Sequence, residues 1–292
     1  MSLTLGMALR QAIACLEQHA VAEPRAAAEV LLADLLQLSR PGLYIEATQS
    51  LSPDQQVAYH ERVRRCSAGE PVQYITGTQE FWSLPFTVSP AVLIPRPESE
   101  LLVEQGVRLG QRWAKTQRSA RLYLLDVGTG SGCLAISLAH TLPQAQVLAL
   151  DNSWPALQVA RQNARRLGVA GRVHCVGSDL TAALQPARRC FAVCVANLPY
   201  VSSDEWRHLP RHIQAYEPVG ALCGGADGLE LIRRLIAASP AYLAAGGTLL
   251  LEVGWQQAAS VVAILQQHGG FSATGVYHDF AGIERVVWGQ VL

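Results

Sequence analysis

An apolar stretch at 191–196, FAVCVA, ends at an amide that is followed by a leucine, a proline and a phenol. The Asn197 side chain offers one acceptor and two donors, so it can pair face to face with another primary amide. The backbone carbonyl of Leu198 offers a second acceptor, and the Tyr200 ring can stack on a flat group. We interpret this NLPY corner as a holder for a planar amide. The alternative is a strand-ending turn in which Asn197 bonds its own backbone.

A glycine loop, LLDVGTGSGC at 124–133, follows another apolar strand and begins a helix. Gly128, Gly130 and Gly132 allow backbone N–H groups to approach a ligand. A dinucleotide fingerprint would need its third glycine where Cys133 stands, and a P-loop would need a Lys-Ser or Lys-Thr pair. The spacing instead resembles the loop of class I methyltransferases, which wraps around the amino acid part of S-adenosyl-L-methionine.

Acidic residues follow the next two strands in turn. Asp151 comes twenty-three residues after Gly128, where a carboxylate can accept both ribose hydroxyls. Asp179 ends the third strand and is placed to accept from an adenine amino group. Each could instead cap a local turn or helix. Together with the loop, they predict a nucleoside cofactor in a crevice at the carboxyl edge of the sheet. The predicted cofactor contacts are Asp126, Gly128, Thr129, Gly130, Ser131, Gly132, Asp151, Asp179, Leu180 and Asn197.

The chemistry predicted from these two motifs is methyl transfer to an amide nitrogen. A sulfonium leaving group is already activated, whereas an amide nitrogen is a poor nucleophile. Hydrogen bonds that fix the nitrogen and favour its pyramidalisation, with in-line approach, are therefore the main contributions expected from the protein. No general base is obvious in the sequence. We assign catalysis to Asn197, Pro199 and Tyr200, and substrate binding to these three with Leu198 and Arg96.

Other residues near these motifs have two interpretations each. Arg96, between Pro95 and Pro97, either walls the substrate pocket or pairs with Glu98 or Glu100. Glu217 either organises the same pocket or caps local backbone. The glycines at 224, 225 and 228 indicate a loop that passes close to another segment, which we expect to be the NLPY corner.

Composition limits the class of protein. Half of the 292 residues are apolar, 16% are charged and the formal net charge is zero. We expect a large core, no direct binding of nucleic acid, and no membrane association. Seven scattered cysteines without C-x-x-C pairs, and eight histidines without ligand spacing, argue against disulfides and a metal site. No secretory signal is recognisable, so a cytoplasmic protein is expected.

The order of elements predicts three parts. Residues 1–75 follow helical periodicity, with a capping box at Ser52 and Gln55, and are expected to form a small helical domain. Residues 76–97 predict a β-hairpin connector. From residue 98 to 292, apolar strands alternate with helices, which predicts an α/β catalytic domain with a mostly parallel sheet. The last two strands, joined by FAGI, predict an antiparallel edge pair.

The motifs together resemble the protein-glutamine methyltransferases that modify bacterial peptide chain release factors. The resemblance covers nearly the whole chain and includes VSPAVLIPRPESE (88–100), YEPVGALCGGADGLELIR (216–233) and AGIERVV (281–287). It implies a class I fold of seven strands, a helical N-terminal domain that docks the release factor, and a substrate glutamine within Gly-Gly-Gln. Methylation would occur on the side-chain amide nitrogen of that glutamine.

One residue departs from the family's Asn-Pro-Pro-Tyr motif, because Leu198 replaces the first proline. Leu198 precedes Pro199, which favours extended backbone, and its carbonyl remains an acceptor. N-L-P-Y also resembles the motif of ribosomal RNA adenine dimethyltransferases, but the neutral charge and IPRPESE disfavour that function. Enzymes that methylate a glutamine of a large-subunit ribosomal protein remain an alternative. A non-catalytic nucleoside-binding module is a further alternative.

Overall fold

The structure is a computed structural model that describes residues 3–117, 122–186 and 189–292. The chain divides into two compact units. The first contains the described residues up to Thr78 together with Pro210–Tyr216, and the second contains those of Gln79–Leu209 and Glu217–Leu292. None of the helices described is both long enough and apolar enough to span a membrane.

The first unit is helical, as predicted. Ser52 caps the fourth helix by accepting from Gln55 N at 3.2 Å, and Gln55 Oε1 accepts from Ser52 N at 2.9 Å, which confirms the capping box. Leu16, Leu31 and Leu32 are fully buried in its core. The helices are α1 (Leu5–Gln18), α2 (Pro24–Leu36), α3 (Arg40–Ile45), α4 (Pro53–Ser67), α5 (Val72–Thr76) and α10 (Arg211–Tyr216).

The predicted hairpin is present, with β1 at Thr78–Phe81 and β2 at Leu84–Thr87. Its two turn residues, Trp82 and Ser83, both have positive φ, as a type I′ hairpin turn requires. The side chain of Asn163 fixes the second strand by accepting from Thr87 N at 2.8 Å and donating to Thr87 O at 2.9 Å.

The second unit is built on a seven-stranded sheet of order β5-β4-β3-β6-β7-β9-β8. The first five strands are parallel, and β9 runs antiparallel to both β7 and β8. This confirms the predicted fold class, including the antiparallel edge. The strands are β3 (Leu122–Val127), β4 (Ala145–Asp151), β5 (Val173–Gly177), β6 (Phe191–Ala196), β7 (Leu243–Glu252), β8 (Phe271–His278) and β9 (Glu284–Val291).

Helices cover both faces of this sheet. Alternate residues of β3 point to opposite faces, so Leu124 belongs to one buried core and Leu125 to the other. Burial on both faces explains why β6 is apolar at every position. The helices of this unit are α6 (Glu100–Gln117), α7 (Cys133–Thr141), α8 (Trp154–Arg166), α9 (Ser203–His208), α11 (Glu230–Ala238) and α12 (Ala258–His268).

Candidate active site

A cavity of about 250 Å³ opens where the parallel strands end. Its position follows from topology, because the carboxyl ends of β3, β4, β5 and β6 lie at one edge of the sheet. The structure brings most of the predicted residues to its wall: Arg96, Gly128, Thr129, Gly130, Ser131, Asp151, Asp179, Leu180, Asn197, Leu198 and Pro199. Asp126, Gly132 and Tyr200 are not part of the wall.

The glycine loop is tied to the end of β4. Gly128 N and Thr129 N both donate to Leu150 O, at 2.8 and 2.9 Å. Gly130 N donates to Asp151 Oδ2 at 2.8 Å, and Ser153 N donates to Asp151 Oδ1, also at 2.8 Å. The cap of α8 is the hydroxyl of Ser153 rather than Asp151. Since each carboxylate oxygen accepts more than one hydrogen bond, Asp151 retains capacity for ribose hydroxyls.

Asp126 supports the loop from behind. It is completely buried, and its Oδ2 accepts from Thr129 Oγ1 at 2.6 Å and from Ala135 N at 3.1 Å. Burial raises the pKa of this carboxyl to about 7, against the opposing effect of those two hydrogen bonds. Asp126 therefore shapes the loop and the start of α7 without reaching the cavity.

The third strand end places an acidic and an apolar residue side by side. Asp179 Oδ2 pairs with Arg234 Nη2 of α11 at 2.7 Å, and the Asp179 side chain is largely exposed. Leu180 lines the cavity and has φ of 47°. The other carboxylate oxygen of Asp179 can accept from the amino group at the edge of an adenine ring, and Leu180 can pack against the face of that ring.

The NLPY corner is packed against the glycine loop. Leu198 is buried, with 3% of its surface exposed, and belongs to the core of the second unit. Gly128 has φ of 78°, and a Cβ there would lie 3.1 Å from Leu198 Cδ2. The positive φ favours glycine at 128, a Cβ there would fit only if Leu198 shifted slightly, and the leucine that replaces the family's proline contributes apolar packing.

Of the three glycines predicted to approach the corner, Gly224 and Gly228 do so, whereas a Cβ on Gly225 would meet Glu230 instead. Val201 N donates to Leu222 O at 2.9 Å, and Gly224 N donates to Val201 O at 2.8 Å. A Cβ on Gly224 would lie 2.3 Å from Pro199 O, and one on Gly228 would lie 2.1 Å from Tyr200 O. No Cβ fits at such distances, so glycine at these positions is required by close backbone packing.

Gln257 braces the same corner from the end of β7. Its Nε2 donates to Tyr200 O at 2.8 Å, and its Oε1 accepts from Gly254 N at 2.9 Å. One side-chain amide thus joins two backbone segments. The neighbouring Trp255 is 71% exposed.

Arg96 lines the cavity and also forms an ion pair, but its partner is Glu217. Its Nη2 lies 2.5 Å from Oε1 of Glu217, which is buried, and Glu217 Oε2 accepts from Ile94 N at 3.4 Å. Pairing with Glu98 or Glu100 is therefore not what the structure contains. Glu217 fixes both the Arg96 head group and the backbone that precedes it.

Two functional candidates escaped the sequence analysis, namely Ser99 and Glu252. Asn197 Nδ2 donates to Ser99 Oγ at 3.0 Å, and Ser99 Oγ donates to Glu252 Oε2 at 2.5 Å. Tyr200 Oη donates to Glu252 Oε1 at 3.4 Å, and Tyr200 is not among the residues that line the cavity. Burial raises the pKa of Glu252 to about 7 and also raises that of Tyr200. The available signal was the lone carboxylate that ends the apolar run TLLLE.

The residues at the wall fit S-adenosylmethionine. Its ribose needs acceptors, which Asp151 supplies, and its base needs a flat apolar slot, which Leu134, Leu180 and Leu231 border. The carboxylates also suit a cationic ligand. Within the described residues, no group of His, Cys, Asp or Glu is arranged to hold a metal ion.

Comparison with known proteins agrees with this reading of fold and cavity. The sequence matches the PrmC N-terminal domain over residues 7–77 and a methyltransferase domain over 124–216. The structure is similar to the catalytic domain of hMettl16 in complex with MAT2A 3′UTR hairpin 1, with a TM-score of 0.56 and 15% identity, covering 88% of this chain and 87% of that one. Fold and cavity together define a class I methyltransferase whose methyl donor is S-adenosylmethionine.

Curated relatives narrow the class to one family. The release factor glutamine methyltransferase of Koribacter versatilis is 41% identical over 288 residues, or 99% of each chain. That of Bordetella pertussis is 39% identical and covers 92% of this chain and 95% of its own. The protein described here belongs to the release factor glutamine methyltransferase family.

Proposed function

We propose that this protein transfers a methyl group from S-adenosylmethionine to the side-chain amide nitrogen of the glutamine in the Gly-Gly-Gln motif of peptide chain release factors. The observation that carries the proposal is the setting of Asn197 at the cavity wall. Its Nδ2 is engaged by Ser99, and among the described residues no donor reaches its Oδ1. A carboxamide acceptor is thus available to a substrate amide.

Bound S-adenosylmethionine supplies a methyl group on a positively charged sulfur. Asn197 Oδ1 accepts from one N–H of the substrate amide, and the carbonyl of Leu198 accepts from the other. Two acceptors on the same nitrogen fix its position and favour the pyramidal geometry in which its lone pair is available. The nitrogen gains one carbon and loses one proton, which leaves to water.

Arg96 and Glu217 complete the substrate side of the cavity in this proposal. The Arg96 guanidinium is partly exposed at the wall, while its partner carboxylate is buried. A guanidinium held in this way presents its remaining N–H groups in a fixed direction. We assign it to a carbonyl of the substrate peptide. The stacking of Tyr200 on the glutamine amide remains a prediction. Its observed contact is the hydrogen bond from the Tyr200 hydroxyl to Glu252.

The helical unit is proposed to dock the release factor. It matches the PrmC N-terminal domain over residues 7–77, and it exposes apolar side chains, with Ile45 at 83% and Val57 at 71%. Exposed apolar residues of this kind are typical of surfaces that bind other proteins. The other proposed targets, a ribosomal protein glutamine or a nucleic acid base, become outcomes of the test.

The experiment is incubation of the purified protein with methyl-labelled S-adenosylmethionine and a purified release factor, followed by tandem mass spectrometry. We expect one added methyl on the glutamine side chain of Gly-Gly-Gln. A matched substrate in which that glutamine is replaced by alanine should remain unlabelled. Ribosomal RNA and large-subunit ribosomal proteins are offered in parallel. Label that appears there and not in the release factor would contradict the proposal, and binding of cofactor without any transfer would favour a nucleoside-binding module.

A further inference from the structure

A buried carboxylate is linked to the NLPY corner through one hydroxyl. Glu252 is 2% exposed at the end of β7, and Ser99 is equally buried just before α6. The chain of contacts runs from Glu252 Oε2 to Ser99 Oγ at 2.5 Å and from Ser99 Oγ to Asn197 Nδ2 at 3.0 Å. We call these three residues the Asn197 relay.

The polarity of this relay is fixed by the chemistry of its members. An ionised carboxylate only accepts hydrogen bonds, so Ser99 must direct its single hydroxyl proton to Glu252. The Ser99 oxygen is then left only as an acceptor. It follows that the NH₂ of Asn197, and not its carbonyl, faces Ser99. The carbonyl oxygen is thereby presented on the opposite side of the amide, which is the polarity that a substrate N–H requires.

We propose that Glu252 and Ser99 are positioning residues for the methyl transfer, which together hold the Asn197 side-chain amide in the orientation that accepts from the substrate nitrogen. This inference deepens the proposed function and rests on it. It assigns a function to Ser99, which borders the cavity, and to Glu252, which does not, and it makes the orientation of Asn197 depend on the charge of a carboxylate one hydroxyl away.

The ionisation of Glu252 depends on its surroundings. Tyr200 of the corner donates to its other oxygen, and Arg285 of β9 favours the charged form, while Glu98 disfavours it. The thiol of Cys133 in α7 also senses its charge. Burial is the largest effect and raises the pKa of Glu252 to about 7. Protonated Glu252 no longer obliges Ser99 to donate to it, so the Asn197 amide can turn over.

The test compares wild type with Ser99→Ala, Ser99→Thr and Glu252→Gln, using a release factor substrate and steady-state kinetics. We expect Ser99→Ala to lower kcat roughly 10- to 100-fold, because one charge-assisted hydrogen-bond chain is lost. The dissociation constant of S-adenosylmethionine should stay within about twofold, since none of the contacts proposed for it involves Ser99. Ser99→Thr keeps the hydroxyl and should restore kcat to within about threefold of wild type. Ser239→Ala, another buried serine, is the matched control and should leave kcat unchanged.

The pH dependence of kcat distinguishes a positioning role of Glu252 from a purely structural one, because a structural role would leave this dependence unchanged. Wild-type kcat should rise with pH through the neutral range as Glu252 ionises, and Glu252→Gln should lose that rise along with part of its rate. In wild type, the side-chain NH₂ signals of Asn197 in NMR should shift with the same midpoint.

These outcomes separate the inference from the proposed function. If wild type transfers no methyl to the glutamine, the proposed function fails. If wild type is active while Ser99→Ala retains its kcat, the relay is wrong. Should Ser99→Ala not fold, a pH profile unchanged in Glu252→Gln overturns the inference. If neither variant folds, the wild-type NMR experiment decides. Side-chain NH₂ signals of Asn197 that stay in place between about pH 6 and about pH 8 would overturn the inference.

Discussion

The side chain of Leu198 lies over Gly128, where a Cβ would be 3.1 Å from Leu198 Cδ2. The NLPY corner and the glycine loop are therefore in contact through a leucine where the family motif has proline. Leu198→Pro should change kcat by less than about tenfold, because the backbone carbonyl remains an acceptor. It should lower the free energy of unfolding by about 1–3 kcal/mol, because buried apolar contacts are lost. Kinetics and urea denaturation check both; a change of hundreds-fold in rate would contradict this account of the corner.

The same contact predicts the effect of a side chain in the loop. Gly128→Ala forces alanine into φ of 78° and against Leu198, so cofactor affinity should fall at least about tenfold. Gly168→Ala is the matched control, since Gly168 has φ of 74° with nothing within 4 Å of an added Cβ. The control should lose stability without losing affinity. Isothermal titration with S-adenosylmethionine distinguishes them, and equal affinity in both variants would refute the role of the contact.

Close backbone packing behind the corner predicts a loss of rate. In Gly224→Ala the new Cβ would lie 2.3 Å from Pro199 O, so the corner must shift. We expect kcat to fall at least about a hundredfold, because displacement of substrate-positioning groups by an ångström is costly. Gly171→Ala, which has open space around its Cβ, should behave as wild type. A Gly224→Ala enzyme with normal kcat would show that the corner tolerates displacement.

The buried carboxyl behind the glycine loop predicts a pH dependence of stability. Asp126 has its pKa raised from 3.8 to about 7 by burial, so the folded protein binds a proton that the unfolded chain releases. Its contribution to stability is therefore largest below about pH 4 and declines as pH rises to about 7. Asp126→Asn should flatten this decline by up to about 1.4 kcal/mol per pH unit. Denaturation curves across this range provide the measurement, and an identical slope in the variant would contradict the assigned pKa.

The order of the strands along the chain and the position of the cavity could both be predicted from the sequence. Apolar strands such as 191–196 and the glycine loop carry strong local signals, and the carboxyl ends of parallel strands converge by topology. The short helices α9 and α10 were not predicted, because neither buries an apolar face that would set a period.

The Asn197 relay was not predictable for a different reason. Ser99 and Glu252 are 153 positions apart, and each is ordinary in its local sequence. Their pairing is created by packing of the segment before α6 against the end of β7. The ion pair of Arg96 with Glu217 depends in the same way on tertiary contacts, whereas sequence proximity favoured Glu98 or Glu100.

The most direct measurement is a crystal structure of the protein with S-adenosylhomocysteine and a Gly-Gly-Gln peptide of the release factor. We expect the glutamine amide nitrogen within about 3 Å of both Asn197 Oδ1 and the Leu198 carbonyl. We also expect Asn197 Nδ2 to remain on Ser99. A glutamine bound outside this cavity, or one facing the NH₂ of Asn197, would contradict the account.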